Sequence, residues 1–116
     1  MNITKHCHKR MSQRAISKNL IDFTIYYGEL KGDRIVTNKK ILKSNIIEID
    51  IKIKSLKKLI NKFKHLLVSR LIKKSLISLQ ETRKVALKVL DKGGITIVLD
   101  GDSLITTYNT NSFRRC

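Results

Sequence analysis

The apolar residues at the start of the chain repeat with a helical period. Residues 4 to 13 fit a short helix, and Ser17 is a typical N-cap for a second helix that runs to about Tyr27. Gly28 is a typical C-terminal stop for that helix. Two helices are therefore predicted to open the chain.

The next segment alternates between apolar and polar residues. Residues 34 to 42 give a weak strand signal, and "IIEIDIKIK" at residues 46 to 54 places isoleucine at every second position from Ile47 to Ile53. A period of two is typical of a half-buried strand. Residues 46 to 54 are therefore predicted to be the clearest strand.

A helical period returns over residues 55 to 92. An apolar stripe runs over Leu56–Leu67, backed by lysines, and "SLQE" at Ser78–Glu81 has the form of a capping box that opens a further helix. A pair of glycines follows residue 92 and ends that helix. This region is predicted to be a basic helical insertion.

The segment "ITIVLDGDSLITTY", residues 95 to 108, holds two β-branched runs joined around Asp100-Gly101, a strong hairpin signal. The order of elements predicts an α+β fold, with N-terminal helices packed on a mainly antiparallel sheet of about four strands. No proline and no Gly/Ser-rich linker divides the chain, so residues 1–116 are expected to form a single domain.

Charge narrows the choice of partner. The formal net charge is +16 and the sequence pI is about 10.2. A charge of this size favours a polyanionic partner, which is nucleic acid, an anionic lipid surface or an acidic protein. The charge alone does not choose among these three.

The two cysteines, Cys7 and Cys116, are too few for a disulfide framework, so reduced thiols are expected. No apolar run has the length of a signal peptide or a membrane span. We expect a cytoplasmic protein without stable membrane insertion.

Three residues near the start of the chain could carry chemistry. On a helix, His6, Arg10 and Arg14 follow one another at one-turn intervals on one face. An imidazole moves protons near neutral pH and guanidiniums bind phosphate oxygens, which together suit metal-independent RNA cleavage. The alternative is an ordinary solvated helix face.

Metal chemistry is not indicated. His6, Cys7 and His8 point in different directions on a helix, and no second cluster supplies further ligands. The sequence therefore predicts neither a metal site nor a cofactor.

The middle of the chain is basic without interruption. From Ile51 to Gln80 there are nine Lys or Arg residues and no Asp or Glu. The lysines predicted to bind RNA are Lys57, Lys58, Lys62, Lys64, Lys73 and Lys74. Few aromatic residues accompany them, so any RNA contact should be electrostatic and nearly independent of sequence. A solvated face, an acidic protein or a membrane surface remain alternatives.

Both ends of the chain carry motifs that belong together. "HCHKRMSQRAIS" is followed by a helix ending at "YYGE", and "TIVLDGDSLITTYNTNSF" occupies residues 96 to 113. This combination resembles the small bacterial domain-of-unknown-function family 4258. That family is placed among the barnase, EndoU, colicin and RelE-like ribonuclease folds, many of them toxins. The resemblance covers roughly residues 4 to 30 and 94 to 113.

The resemblance implies roles for individual residues. His6, Arg10 and Arg14 match the family's His-x3-Arg-Met-x2-Arg signature, while Thr106 and Tyr108 match its terminal polar strand positions. Alternation along the last strand independently places Thr106 and Tyr108 on one face, where Tyr108 could also be an ordinary half-buried aromatic.

Three features depart from the family pattern. Ala15 stands where the family usually has glycine, and Asn109 stands where a basic residue often follows the tyrosine. The helices of residues 55 to 92 are also longer than the usual connection. Longer basic helices imply additional contact with a substrate or a partner.

The leading hypothesis from the sequence is a toxin-like, metal-independent endoribonuclease. His6 would serve as general base or acid, Arg10 and Arg14 would hold the scissile phosphate, and Thr106 or Tyr108 would position it. The implied partners are RNA, which could be ribosome-associated, and an acidic antitoxin. The alternatives are a non-catalytic module that binds nucleic acid or an acidic protein, and a membrane-surface protein that uses the helix over Leu56–Leu67.

Overall fold

A computed structural model describes residues 2–111 as four helices and a five-stranded mixed sheet. The elements are β1 (Asn2–Ile3), α1 (Lys5–Gln13), α2 (Lys18–Tyr27), β2 (Glu29–Lys31), β3 (Arg34–Val36), α3 (Lys39–Phe63), α4 (Val68–Asp91), β4 (Ile95–Asp100) and β5 (Ser103–Asn109). The predicted α+β class is confirmed. Arg114, Arg115 and Cys116 lie outside the described residues.

The sheet has the strand order β1-β5-β4-β3-β2, and only the β1–β5 pair is parallel. The predicted hairpin is confirmed as β4 and β5, with Gly101 and Asp102 in its loop. The sheet has one strand more than expected. Two of its strands, β1 and β2, were not predicted, because segments of two and three residues are too short to give a periodic signal in the sequence.

The core lies between one face of the sheet, the helices α1 and α2, and the parts of α3 and α4 that carry Leu42, Ile49, Ala86 and Val89. Ile35, Ile97 and Leu104 from the sheet are buried together with Cys7 of α1 and Ile21 of α2. The two N-terminal helices therefore pack on the sheet as predicted.

The N-terminal helices begin and end close to the predicted residues. Ser17 is the N-cap of α2 and Gly28 is its C-cap. A Cβ atom at Gly28 would lie 2.5 Å from the carbonyl oxygen of Thr24 and 2.7 Å from Ile35 Cγ2. Glycine is therefore required at this position by the close approach of α2 and β3.

The strand prediction for residues 46 to 54 is wrong, because these residues lie inside α3. Leu42, Ile46, Ile49 and Ile53 also fit a helical spacing, and α4 packs along α3 to cover that stripe. The isoleucines of this segment fit both a strand period of two and a helical period, and packing against α4 stabilises the helix. The weak strand over residues 34 to 42 is confirmed only for Arg34–Val36.

The capping-box prediction at Ser78–Glu81 is also wrong, because α4 begins ten residues earlier, at Val68. The carbonyl oxygen of Ser78 accepts a hydrogen bond from Thr82 Oγ1 at 3.0 Å, as occurs in the interior of a helix. Half-buried Ile72, Leu76 and Leu79 continue the apolar stripe through this segment. A continuous stripe removes the break that a capping box needs. The predicted stop at Gly93 and Gly94 is confirmed.

The helices α3 and α4 form a long hairpin that stands away from the sheet. The α4 helix contacts α2, but between residues 51 and 80 only Ser69 is buried. We call residues 51–80 the basic hairpin. It gives the molecule its longest dimension, 55 Å.

Candidate nucleic-acid interface

The start of α1 is fixed to β5. The Thr4 hydroxyl accepts a hydrogen bond from the backbone N–H of Cys7 at 3.1 Å, which caps the helix. The backbone N–H of Thr4 donates to the carbonyl oxygen of Leu104 at 3.1 Å. Because Cys7 and Met11 are buried, the rotation of α1 about its axis is also fixed.

This rotation places His6, Arg10 and Arg14 in a row that turns gradually toward the sheet. His6 is exposed, whereas Arg10 and Arg14 are half-buried. Consecutive members of the row are separated by about 6 Å along the axis, since each residue rises about 1.5 Å. His6 and Arg10 therefore lie close enough to contact one phosphate, and Arg14 lies closer to the end of β5.

The arginines of the row differ in their contacts. Arg14 Nη1 donates to the carbonyl oxygen of Thr107 at 2.6 Å, so Arg14 links α1 to β5. Arg10 Nη1 donates to Gln13 Oε1 at 2.9 Å on the solvent side of the helix. A guanidinium has five N–H donors, so one such bond still allows contacts with phosphate oxygens.

The predicted alternation of β5 is confirmed. Thr107 is fully buried, and its hydroxyl donates to the carbonyl oxygen of Thr96 at 3.1 Å. Thr106 and Tyr108 are half-buried and lie on the opposite face of the sheet from the helices.

Arg34 joins this face and was not identified from the sequence. Its Nη1 donates to the hydroxyl oxygen of Tyr108 at 2.5 Å. The register Arg34–Val98–Thr106 across β3, β4 and β5 places Arg34 on the same face as Thr106. Only this strand pairing reveals the contact, because Arg34 and Tyr108 are 74 positions apart in sequence.

The structure therefore divides the predicted site between two sides of β5. The row of α1 lies on the helix side, while Arg34, Thr106 and Tyr108 lie on the other face. Arg14 reaches the backbone of β5 between them. All five predicted residues lie on β5 or beside it, but their side chains do not meet at a single point.

The surface around α1 is open. A cavity of about 380 Å³ beside α1 is lined by His8, Met11 and Ser12, and not by His6 or Arg10. An open cationic surface suits an extended polyanion better than a small molecule.

The six predicted RNA-binding lysines are exposed on the basic hairpin; they are Lys57, Lys58, Lys62, Lys64, Lys73 and Lys74. Within residues 2–111 none of them takes part in an ion pair. Lys62 Nζ lies 5.5 Å from the ring centroid of Phe63, a cation–π distance. The hairpin therefore presents uncompensated positive charge.

Cys7 is not a reactive thiol in this fold. Its side chain is fully buried in the core, and burial raises the pKa of the thiol above its ordinary value of 9.0. Among the described residues, no three His, Cys, Asp or Glu side chains are grouped as metal ligands would be.

Ala15 adopts a left-handed backbone conformation with φ of 52°. Glycine is the residue that favours this region, and glycine is what the resembled family usually has at this position. Comparisons with models of protein families, with characterised proteins and with solved structures find no match to this chain. The family resemblance therefore remains an expectation from the sequence.

Proposed function

We propose that the protein is a metal-independent endoribonuclease of the toxin type. The observation that carries this proposal is the placement of His6 and Arg10 one turn apart on an open face of α1, beside β5, in a chain with a net charge of +16. The proposed substrate is RNA, and the proposed place of action is the cytoplasm.

In the proposed reaction, the His6 imidazole takes the proton of a ribose 2′-hydroxyl. The 2′-oxygen then attacks phosphorus, and the bond from phosphorus to the 5′-oxygen breaks. The products are a 2′,3′-cyclic phosphate and a 5′-hydroxyl, whose proton comes from water, and the hydroxide that remains takes the proton back from the His6 imidazolium. Arg10 stabilises the negative charge that builds up on the phosphate oxygens.

The remaining residues hold the RNA on either side of the reacting phosphate. Arg14 lies at the edge of β5, where RNA crossing that edge passes from α1 to the face of Arg34, Thr106 and Tyr108. These three residues would position the RNA by contacts with neighbouring phosphates. The basic hairpin would add affinity that depends strongly on salt.

The test uses two histidines on the same helix. His6→Ala is expected to abolish cleavage of a labelled mixed-sequence RNA in EDTA while RNA affinity changes little. His8→Ala is the matched control, because His8 is also exposed on α1 but points away from the row. Equal loss in both variants, or equal activity of His6→Ala and the unaltered protein, contradicts the assignment.

A second candidate is a binding module without catalysis. It is favoured by the division of the site, since β5 separates the row of α1 from Tyr108 and Thr106. In this case RNA or an acidic inhibitor protein binds through the lysines of the basic hairpin. Intact RNA in a salt-sensitive complex, unaffected by His6→Ala, is the result that selects this candidate.

A further inference from the structure

The end of the basic hairpin carries an apolar surface that the proposed RNA site does not use. Leu66, Leu67, Val68 and Leu71 are 55%, 83%, 42% and 65% exposed. We call these four residues the apolar tip. Large aliphatic side chains that follow one another on the surface favour contact with an apolar partner.

The apolar tip has a defined shape. The backbone N–H of Leu66 donates to the carbonyl oxygen of Phe63 at 2.9 Å, and that of Ser69 donates to Leu66 at 3.0 Å. These bonds close a tight turn between α3 and α4, with Ser69 buried beneath it. The leucines are therefore held outward on a convex end.

Positive charge surrounds the apolar tip. Lys62, Lys64, Arg70, Lys73 and Lys74 are exposed within two helical turns of it, and the basic hairpin contains no acidic residue. Long basic side chains next to an apolar surface reach toward anionic headgroups while the apolar residues enter the lipid. The apolar residues match the lipid chains of an anionic bilayer, and the basic residues match its headgroups.

Other occupants match the tip less well. RNA phosphates pair with lysines but gain nothing from exposed leucines. A second copy of the chain would bring two strongly positive tips together. To bind a helix of a partner protein, the tip would have to form a groove, but its surface is convex. Within residues 2–111, no helix has the length and apolar character needed to cross a bilayer.

We propose that the apolar tip inserts into the interfacial layer of an anionic lipid membrane, with the surrounding basic side chains on the lipid headgroups. The protein would be held at the membrane surface through the end of the basic hairpin, with the sheet and α1 directed away from the lipid. This inference does not depend on the proposed ribonuclease activity, and while the tip is on lipid the lysines around it contact headgroups and not RNA.

The chain contains no tryptophan, so one introduced tryptophan reports insertion directly. Leu67→Trp is expected to shift its emission to shorter wavelength with vesicles of equal parts phosphatidylcholine and phosphatidylglycerol, and not with phosphatidylcholine alone. Ile47→Trp is the control, because Ile47 is 61% exposed on α3 at the end nearer the sheet. An equal shift from both tryptophans, or no shift from Trp at position 67, overturns the proposal.

A second pair of variants measures affinity by vesicle sedimentation. The double variant Leu66→Gln and Leu67→Gln is expected to weaken binding to anionic vesicles about tenfold or more, because two leucines that would enter the lipid are lost. Ile47→Gln with Ile51→Gln, both 61% exposed, is expected to leave binding unchanged. Unchanged vesicle binding of the tip variant would show electrostatic adsorption only. A dimer that the tip variant dissociates would show a contact between copies, and either result overturns the proposal.

Discussion

Replacing Gly94 by alanine tests how the end of α4 is joined to the sheet. Gly94 has a φ of 98°, and a Cβ atom there would lie 2.1 Å from the carbonyl oxygen of Thr37 and 2.7 Å from its carbonyl carbon. No side-chain rotation relieves a contact with backbone, so the segment at Thr37 must move. The same glycine accepts a hydrogen bond from Thr110 N–H at 2.9 Å and donates to Val89 at 3.0 Å.

The expected loss is the balance of two costs and one gain. An L side chain in the left-handed region costs about 1–2 kcal/mol. Disrupting one or two buried hydrogen bonds adds about 1–3 kcal/mol each. Reduced freedom of the unfolded chain returns about 0.4–1 kcal/mol. Taking the middle of each range, with one or two bonds lost, Gly94→Ala should lower the free energy of unfolding by about 3–5 kcal/mol, a large share of the ~5–15 kcal/mol typical of a domain.

The assay is urea denaturation followed by far-UV circular dichroism. Gly32→Ala is the matched control, because Gly32 has a φ of 63° but nothing lies within 4 Å of its added Cβ. Its loss should stay near 1 kcal/mol, since only the backbone strain remains. Equal losses in the two variants would refute the argument that contact with Thr37 dominates.

Three further predictions concern α1 and the sheet. Ala15→Gly should raise the free energy of unfolding by about 0.5–1 kcal/mol, because it relieves the positive φ at this residue, and a decrease in urea denaturation contradicts that. Burial raises the pKa of the Cys7 thiol, so its stabilising contribution is present below pH 9.0 and lost as the pH rises through the raised pKa. The loss of stability above pH 9.0 should accordingly be smaller in Cys7→Ala, and an unchanged pH dependence argues against burial as the cause. Tyr108→Phe removes the hydrogen bond from Arg34, which is worth about 0.5–1.5 kcal/mol, and should lower kcat/KM for RNA about two- to tenfold. An unchanged kcat/KM would remove Tyr108 from the site.

The ends of α2 and the β4–β5 turn could be predicted from the sequence because their signals are local. Ser17 and Gly28 mark the ends of α2, and Asp100-Gly101 marks the β4–β5 turn within a few residues of its position. The helices α3 and α4 could not be predicted in the same way. Residues 46 to 54 satisfy both a period of two and a helical stripe, and only packing against α4 selects the helix.

The candidate site shows a similar limit. The one-turn spacing of His6 and Arg10 and the alternation of Thr106 and Tyr108 follow from local geometry, and the structure places these residues accordingly. Arg34 was missed because its role depends on the pairing of β3 with β4. The separation of the site by β5 was also missed, since it depends on which face of the sheet α1 covers.

The role proposed for His6 in RNA cleavage is tested by the chemistry of the RNA ends. A 5′-labelled RNA is incubated with the protein in EDTA, and the new 3′ ends are analysed. We expect 2′,3′-cyclic phosphate ends, which disappear in His6→Ala and persist in His8→Ala. RNA that stays intact, or cyclic ends that form equally well in His6→Ala, would contradict it.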